Sequence, residues 1–215
     1  MLAYADYIPL AALIGYVIGS TPFGFLAGKM KGIDIREHGS GNIGATNVLR
    51  TLGKSVGYPV FLLDVLKGVV PVLIAQQLTD NSLTHIIAAI ATILGHNYTF
   101  WLKFKGGKGI ATTAGTMAPL IPIPLVVALS LWAIFLFATR YVSVASIVAA
   151  ISIPISQAVQ SFLKHSSNFA NWDKPLTIFG LVLCILAVWK HRGNIQRLRN
   201  GTENRFGKKK TTNQA

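Results

Sequence analysis

The chain has 215 residues, of which 52% are hydrophobic and only 13% charged, and its mean hydropathy is +0.51. Soluble domains carry about 25% charged residues, so this composition excludes a soluble core and predicts a membrane-embedded chain. The formal net charge is nevertheless +13, from 20 Lys and Arg against 7 Asp and Glu. Such an excess suits nucleic acid, anionic lipid or a charged substrate. Its placement in the gaps between apolar runs follows the positive-inside rule, and no nucleic-acid partner is expected. One cysteine, Cys184, sits inside an apolar run, which excludes a disulfide framework and a thiolate metal site.

A first span is predicted over residues 8–28, too glycine-rich to resemble a cleaved signal peptide. Lys29 and Lys31 mark its cytoplasmic exit. The stretch from Gly39 to Arg50 follows, where an ordinary membrane loop would be polar filler. It holds three glycines, two hydroxyl residues, two asparagines and an arginine, without one acidic side chain. Glycines let backbone approach a ligand closely, successive N–H groups form a concave anion nest, and arginine forks onto phosphate oxygens. The stretch reads as a phosphate cradle at a membrane surface.

A second span is expected over 55–78, with Asp64 and Lys67 three residues apart and so on one helix face. An ion pair at membrane depth is either functional or a device that specifies packing. A third span covers 83–101, with His85 as an interfacial histidine. It leads through His96 into Lys103-Phe104-Lys105-Gly106-Gly107-Lys108-Gly109, a glycine-basic turn opening into a helix. Flexible glycines before a helix N-terminus make a natural anion site. The pattern is not a Walker A loop.

The apolar stretch 110–139 is interrupted by Pro119, Pro122 and Pro124. One span needs about twenty residues, so two short helices are expected, over 109–121 and 122–138. Arg140 ends the second. A sixth span runs over 141–162, with Ser143 and Ser146 near its cytoplasmic entrance. A polar external loop is expected over 164–174 and a last span over 175–189. That span empties into Lys190-His191-Arg192-Gly193-Asn194-Ile195-Gln196-Arg197, whose His191, Asn194 and Arg197 recur at i, i+3 and i+6. Residues 1–207 read as a single transmembrane domain, and 208–215 as a basic, disordered tail drawn to anionic lipid.

The expected fold is therefore all-α and polytopic, with about seven transmembrane helices, the N-terminus outside and the C-terminus cytoplasmic. Seventeen of the 20 cations then fall on the inner side. All three glycine, asparagine and basic patches land on that face together. The topology rule alone accounts for the Lys and Arg, but not for Gly-Ser-Gly-Asn, Ala-Thr-Asn or Lys-Gly-Gly-Lys-Gly.

At these blocks, Gly39 to Arg50, Gly95 to Gly109 and His191 to Arg197, the sequence resembles the bacterial membrane acyl-phosphate:glycerol-3-phosphate acyltransferases, the PlsY family. The segments 64–68 and 141–146 match as well, and the likeness covers nearly the whole chain. It implies a multi-pass protein of the bacterial cytoplasmic (inner) membrane. Such an enzyme moves a fatty acyl group from acyl phosphate to the 1-hydroxyl of glycerol 3-phosphate, giving lysophosphatidic acid (1-acyl-glycerol 3-phosphate) and phosphate in phospholipid biosynthesis.

Acyl phosphate is already activated, so the chemistry needs positioning and charge neutralisation rather than a covalent enzyme intermediate. On this reading Ser40, Asn42, Thr46, Asn47 and Arg50, with Gly41, bind phosphate and orient the glycerol hydroxyl. Lys108 and its glycine turn hold the other phosphate, and Lys67, Ser146 and Asn194 contribute secondarily. His191 acts as a general base with a pH limb near 6–7, or else the donor phosphate accepts the proton. No carboxylate or His/Cys cluster has metal-ligand spacing, so no metal and no cofactor is expected. The acyl chain lies between spans, open to the inner leaflet. A transporter for an organic phosphate would also use broken helices and an intramembrane Asp–Lys pair, but no internal repeat is present. A phospholipid alcohol phosphotransferase would need an Asp-rich metal motif that the chain lacks.

Overall fold

The computed structural model describes residues 7–164 and 173–207. Within them every long element is helical. They run α1 (Tyr7–Gly19), α2 (Phe23–Met30), α3 (Ala45–Leu52), α4 (Lys54–Leu78), α5 (Ser82–Asn97), α6 (Ile110–Leu120), α7 (Pro122–Thr139), α8 (Val142–Lys164), α9 (Lys174–Lys190) and α10 (Arg192–Arg199). Single 3-10 turns occupy Ile35–Glu37 and Phe100–Leu102.

Proline sets the breaks. Pro22 has no N–H to continue a helix, so α1 and α2 part just before it. The carbonyls freed there are taken up from other elements: Thr99 Oγ1 donates to Ser20 O at 2.5 Å and Lys67 Nζ to Thr21 O at 2.7 Å. The expected break near Pro119 to Pro124 is present, with Ile121 separating α6 from α7 and Pro122 opening α7.

The bundle is built from close pairs: α1 against α5, α4 against α6, α7 against α8, and α8 against α9. The α4–α6 crossing depends on Gly68 and Gly115, which face one another. A Cβ on Gly68 would run into the Thr112 carbonyl and one on Gly115 into that of Val65. Small residues at such a crossing let two backbones pack by dispersion where lipid offers no hydrophobic drive. Val72, Ile93, Met117, Ile153, Phe179 and Leu183 belong to the main buried apolar cluster between the helices. Outward faces carry Leu62, Phe137, Ile155 and Ile185, all exposed, as a lipid-facing surface requires.

The expected count of seven spans is not reproduced. Among the described residues four segments are long and apolar enough to cross a bilayer: Tyr7–Met30, Lys54–Leu78, Pro122–Thr139 and Val142–Lys164. A fifth arises if Lys174–Lys190 and Arg192–Arg199, bent by 52°, form one span. Two of the expected spans fall short. With 16 residues α5 is about 24 Å long, and with 11 residues α6 is only about 16 Å, against a hydrocarbon core of about 30 Å. Part of the expected external loop over 164–174, and the whole of the expected tail over 208–215, lie outside the described residues.

Candidate active site

The loop between α2 and α3 is held in shape by Asn47, in the first turn of α3. Its Oδ1 accepts from Ser40 N at 2.8 Å, while its Nδ2 donates to His38 O at 3.0 Å and Ile35 O at 3.1 Å. This side chain is 2% exposed and its strong hydrogen bonds all go to the loop. Asn47 therefore buckles the cradle, with its amide engaged by the loop. Asn42 Oδ1 accepts from Gly44 N at 2.8 Å, an Asx-type turn that sets the entry to α3. The Ser40 hydroxyl, Asn42, Thr46 and Arg50 line a cavity mouth.

The second turn is shaped by contacts only glycine allows. Gly106 N donates to Asn97 O at 3.2 Å and Gly107 N to His96 O at 3.1 Å. A Cβ at Gly107 would collide with the His96 imidazole. Gly109 then takes φ +79° at the N-cap of α6, a left-handed conformation that L side chains rarely adopt. The turn delivers Lys108 and the first residues of α6 to the same cavity mouth, so the unpaired N–H groups of that helix end meet the lysine there.

The third element is the bend between α9 and α10. His191 is 2% exposed, and its Nδ1 donates to Ala187 O at 2.8 Å. Because a carbonyl can only accept, this bond leaves Nε2 with its lone pair. Asn194, one turn on, donates to Glu203 Oε1 at 2.6 Å. The same oxygen accepts from Ser143 Oγ at 3.0 Å, and Arg197 Nε donates to Oε2 at 2.7 Å. Glu203 thus clamps α8, α10 and the following segment, and it also lines the cavity. Sequence reasoning missed it. Its one signal is that it is the sole acidic residue after Asp173, within a strongly basic run.

These elements surround a cavity of about 220 Å³ whose mouth is polar and whose depth is apolar. Beside it opens a polar vestibule of about 550 Å³ that shares Ser40, Asn42, Lys108 and Asn194 and adds Gly41, Lys190, Arg192 and Arg197. Burial holds the Lys108 ammonium down to about 8, with Arg197, Arg50 and Lys190 lowering it further and Glu203 opposing them. Burial, then the Lys108 charge, lowers His191 to about 4. Burial also draws the Arg50 guanidinium below its ordinary value, yet arginine remains charged. The mouth therefore presents a neutral imidazole among crowded cations, an arrangement that an arriving anion relieves.

The expected site residues Ser40, Asn42, Thr46, Asn47, Arg50, Lys108, Ser146, His191 and Asn194 all line the cavity, and Gly41 lines the vestibule. Ser146 Oγ accepts from Trp132 Nε1 at 3.2 Å. Lys67 does not line either space. Its ammonium is 2.7 Å from Asp64 Oδ1 and 2.7 Å from Thr21 O, with side-chain exposure of 3%, so both of its strong contacts are internal. Lys67 thus ties α4 to the α1–α2 break. The ion pair itself is present as expected, with His96 Nδ1 3.7 Å from Asp64 Oδ1 behind it. Polar groups at one end of the bundle, rather than at mid-depth, also count against the transporter reading.

Comparison with known proteins agrees with this arrangement. A family model described as glycerol-3-phosphate acyltransferase matches residues 9–201. A glycerol-3-phosphate acyltransferase of Desulforamulus reducens is 47% identical over 91% of this chain and 94% of its own. One from Geobacter sulfurreducens is 44% identical over 90% of this chain and 94% of its own. The crystal structure of PlsY, an integral membrane glycerol 3-phosphate acyltransferase, in its glycerol 3-phosphate form superposes with a TM-score of 0.84. It has 38% identity and covers 93% of this chain and 96% of that one. The lysophosphatidic acid form of PlsY gives 0.80 at 39% identity, over 93% and 95%. Extent and identity together make this chain a multi-pass membrane enzyme of the glycerol-3-phosphate acyltransferase family, PlsY type.

Proposed function

We propose that this enzyme takes its acyl group from acyl phosphate and delivers it to the 1-hydroxyl of glycerol 3-phosphate. The products are lysophosphatidic acid and inorganic phosphate, formed at the cytoplasmic face of the bacterial inner membrane. One observation carries the reading: an apolar cavity within the bundle runs without a break into a mouth lined by Arg50, Lys108, His191, Asn194 and the N-terminus of α6. A substrate that fits has a hydrocarbon chain ending in an anion. The polar vestibule alongside, with Arg192 and Arg197, suits a small water-soluble phosphate arriving from the cytosol. The two compartments meet at Ser40, Asn42, Lys108 and Asn194, where two reactants can be held together.

In the proposed reaction the glycerol hydroxyl attacks the acyl carbonyl carbon. The new ester C–O bond forms as the carbonyl-to-phosphate C–O bond breaks. Lys108 and the N–H groups of α6 hold the donor phosphate and neutralise the charge it gains as it leaves. Ser40, Asn42, Thr46 and Arg50 hold glycerol 3-phosphate and aim its hydroxyl. The hydroxyl proton passes to the departing phosphate, which leaves as hydrogen phosphate. With His191 held down to about 4, the phosphate, whose second pKa is about 6, is the stronger proton acceptor. His191 Nε2 then serves to accept and orient the hydroxyl hydrogen bond. Its neighbours make it a poor general base at neutral pH, which favours the second of the two roles expected from sequence.

Metal independence is part of the proposal. Among the described residues no three His, Cys, Asp or Glu side chains come together in a way that could hold an ion. Orientation with the N-terminus outside and the C-terminus in the cytosol follows from the positive-inside bias.

The test is phosphate release by purified protein from synthetic acyl phosphate, with and without glycerol 3-phosphate and after exhaustive chelation. Release that requires glycerol 3-phosphate, survives chelation and yields lysophosphatidic acid is the expected result. Equal or faster acylation from an acyl thioester, or loss of activity on chelation restored by a metal, would overturn the donor or the metal-free part respectively.

A further inference from the structure

The cavity has a floor and an open side, and together they determine what happens to a long acyl chain. Met117 of α6, Ile153 of α8 and Leu183 of α9 line its deep end and also belong to the main buried cluster, each no more than 4% exposed. Behind them Ile93 and Phe179 are fully packed. The chain cannot continue straight down. From Ser143 to Ile153 is ten residues of α8, or about 15 Å at 1.5 Å per residue. From His191 back to Leu183 is eight residues, or about 12 Å. Extended covalent chain advances about 3.5 Å over three bonds, so this depth takes about ten to twelve carbons.

One wall is incomplete. α4 packs on α6, and α7 packs on α8, but among the described residues there is no substantial packing between α4 and α7. Phe61 of α4 and Leu129 of α7 line the cavity while being 50% and 49% exposed. Cavity-lining side chains that are also half open to the exterior mark an opening to lipid. Leu129 lies ten residues before the end of α7 and Phe61 seven after the start of α4. That places the opening about 10–15 Å below the polar mouth, the depth of the floor. Above it Trp132, tied to Ser146 at 3.2 Å, closes the rim near the mouth.

We infer that the Met117–Ile153–Leu183 floor turns the acyl chain sideways, so that carbons beyond about the twelfth leave between Phe61 and Leu129 into the bilayer. The inference rests on the acyl transfer proposed above. The protein then reads only the first part of the chain, and the remainder keeps the contacts with lipid that it had before binding. Burial of each methylene is worth about 0.8 kcal/mol relative to water, but a chain coming from lipid gains nothing comparable beyond the window. Catalytic efficiency should therefore rise with chain length up to about ten to twelve carbons and level off beyond.

Acyl phosphates of eight to eighteen carbons, assayed at fixed surface concentration in mixed micelles, test this with wild type, Leu129→Trp, Phe61→Trp and the lipid-facing control Ile134→Trp. Narrowing the window should lower kcat/KM for sixteen carbons about tenfold or more while leaving eight and ten within about twofold. The control should follow wild type. Photocrosslinking in nanodiscs needs no variant: a diazirine at carbon six should label protein, and one at carbon fifteen mainly lipid. A length profile unchanged in both window variants, or a terminal diazirine that labels only protein, would overturn the inference while leaving acyl transfer intact. Wild type that transfers no chain of any length would overturn the function on which it rests.

Discussion

Lys108 makes the most quantitative prediction. With its ammonium lowered to about 8 by burial and by Arg197, Arg50 and Lys190, roughly nine-tenths of the free protein is charged there at pH 7 and one-tenth at pH 9. A bound phosphate dianion offsets the neighbouring cations and stabilises the ammonium directly, which returns the group toward its ordinary value of 10.5. Binding then takes up a proton. The charged form predominates below about 8, so affinity is full on the acid side and falls as pH rises through 8. Between pH 7 and pH 9 the KM for acyl phosphate should rise about tenfold, equivalent to about 1.4 kcal/mol. Lys108→Arg keeps its charge throughout and should flatten this alkaline limb. Lys108→Ala removes a charge-assisted contact worth about 1.5–3 kcal/mol, raising KM about ten- to hundredfold with no limb. The assay is initial-rate KM from pH 6.5 to 9.5 with brief incubations, since the donor hydrolyses in base. A KM for wild type flat to pH 9.5, or an equal limb in Lys108→Arg, would refute the reasoning.

Three further outcomes are expected. His191, lowered to about 4, is neutral throughout the physiological range, so any limb of kcat/KM near pH 6 belongs to the substrate phosphates, which titrate there, and should be the same in wild type and His191→Ala. His191→Ala should lose about two- to tenfold without changing the profile, as for a lost neutral hydrogen bond of about 0.5–1.5 kcal/mol, and a limb near pH 6.5 present in wild type but absent from His191→Ala would restore the general-base role. Glu203→Gln should raise KM for glycerol 3-phosphate and lower thermal stability, because Arg197 loses its charged partner at 2.7 Å and Asn194 and Ser143 lose a charge-assisted acceptor. Unchanged KM and melting in detergent would show that the clamp has no effect. Asp64→Asn strands the buried Lys67 ammonium and should cost about 3–5 kcal/mol, whereas Asp64→Leu with Lys67→Met should be much milder. Equal losses in the two, read by thermal unfolding in one detergent, would argue for a chemical role of the pair.

Much of this protein follows from local pattern. Apolar runs of membrane length, cations gathered in the intervals, the proline break near 121, and glycine turns before α3 and α6 depend on short-range sterics and transfer free energies, which a linear reading can evaluate; the break at Pro22, inside the expected span over 8–28, does not appear in that reading. The convergence of Ser40, Arg50, Lys108, His191 and Asn194 at one end of the bundle also follows from local pattern, because alternation of spans puts every second loop on the same side. Other properties depend on which side chain meets which across tens of residues. The partner that the break at Pro22 gives Lys67, the Thr21 carbonyl, and the loop donors and acceptors that engage the Asn47 amide, are of this kind. Glu203 was silent because its meaning comes from Ser143, Asn194 and Arg197 meeting it in space. The shortness of α5 and α6, and the floor and side opening of the cavity, are likewise set by tertiary packing. Chemical type and periodicity are carried by residues one at a time, whereas satisfaction of polar groups and enclosure of volume are properties of sets of residues brought together by the fold.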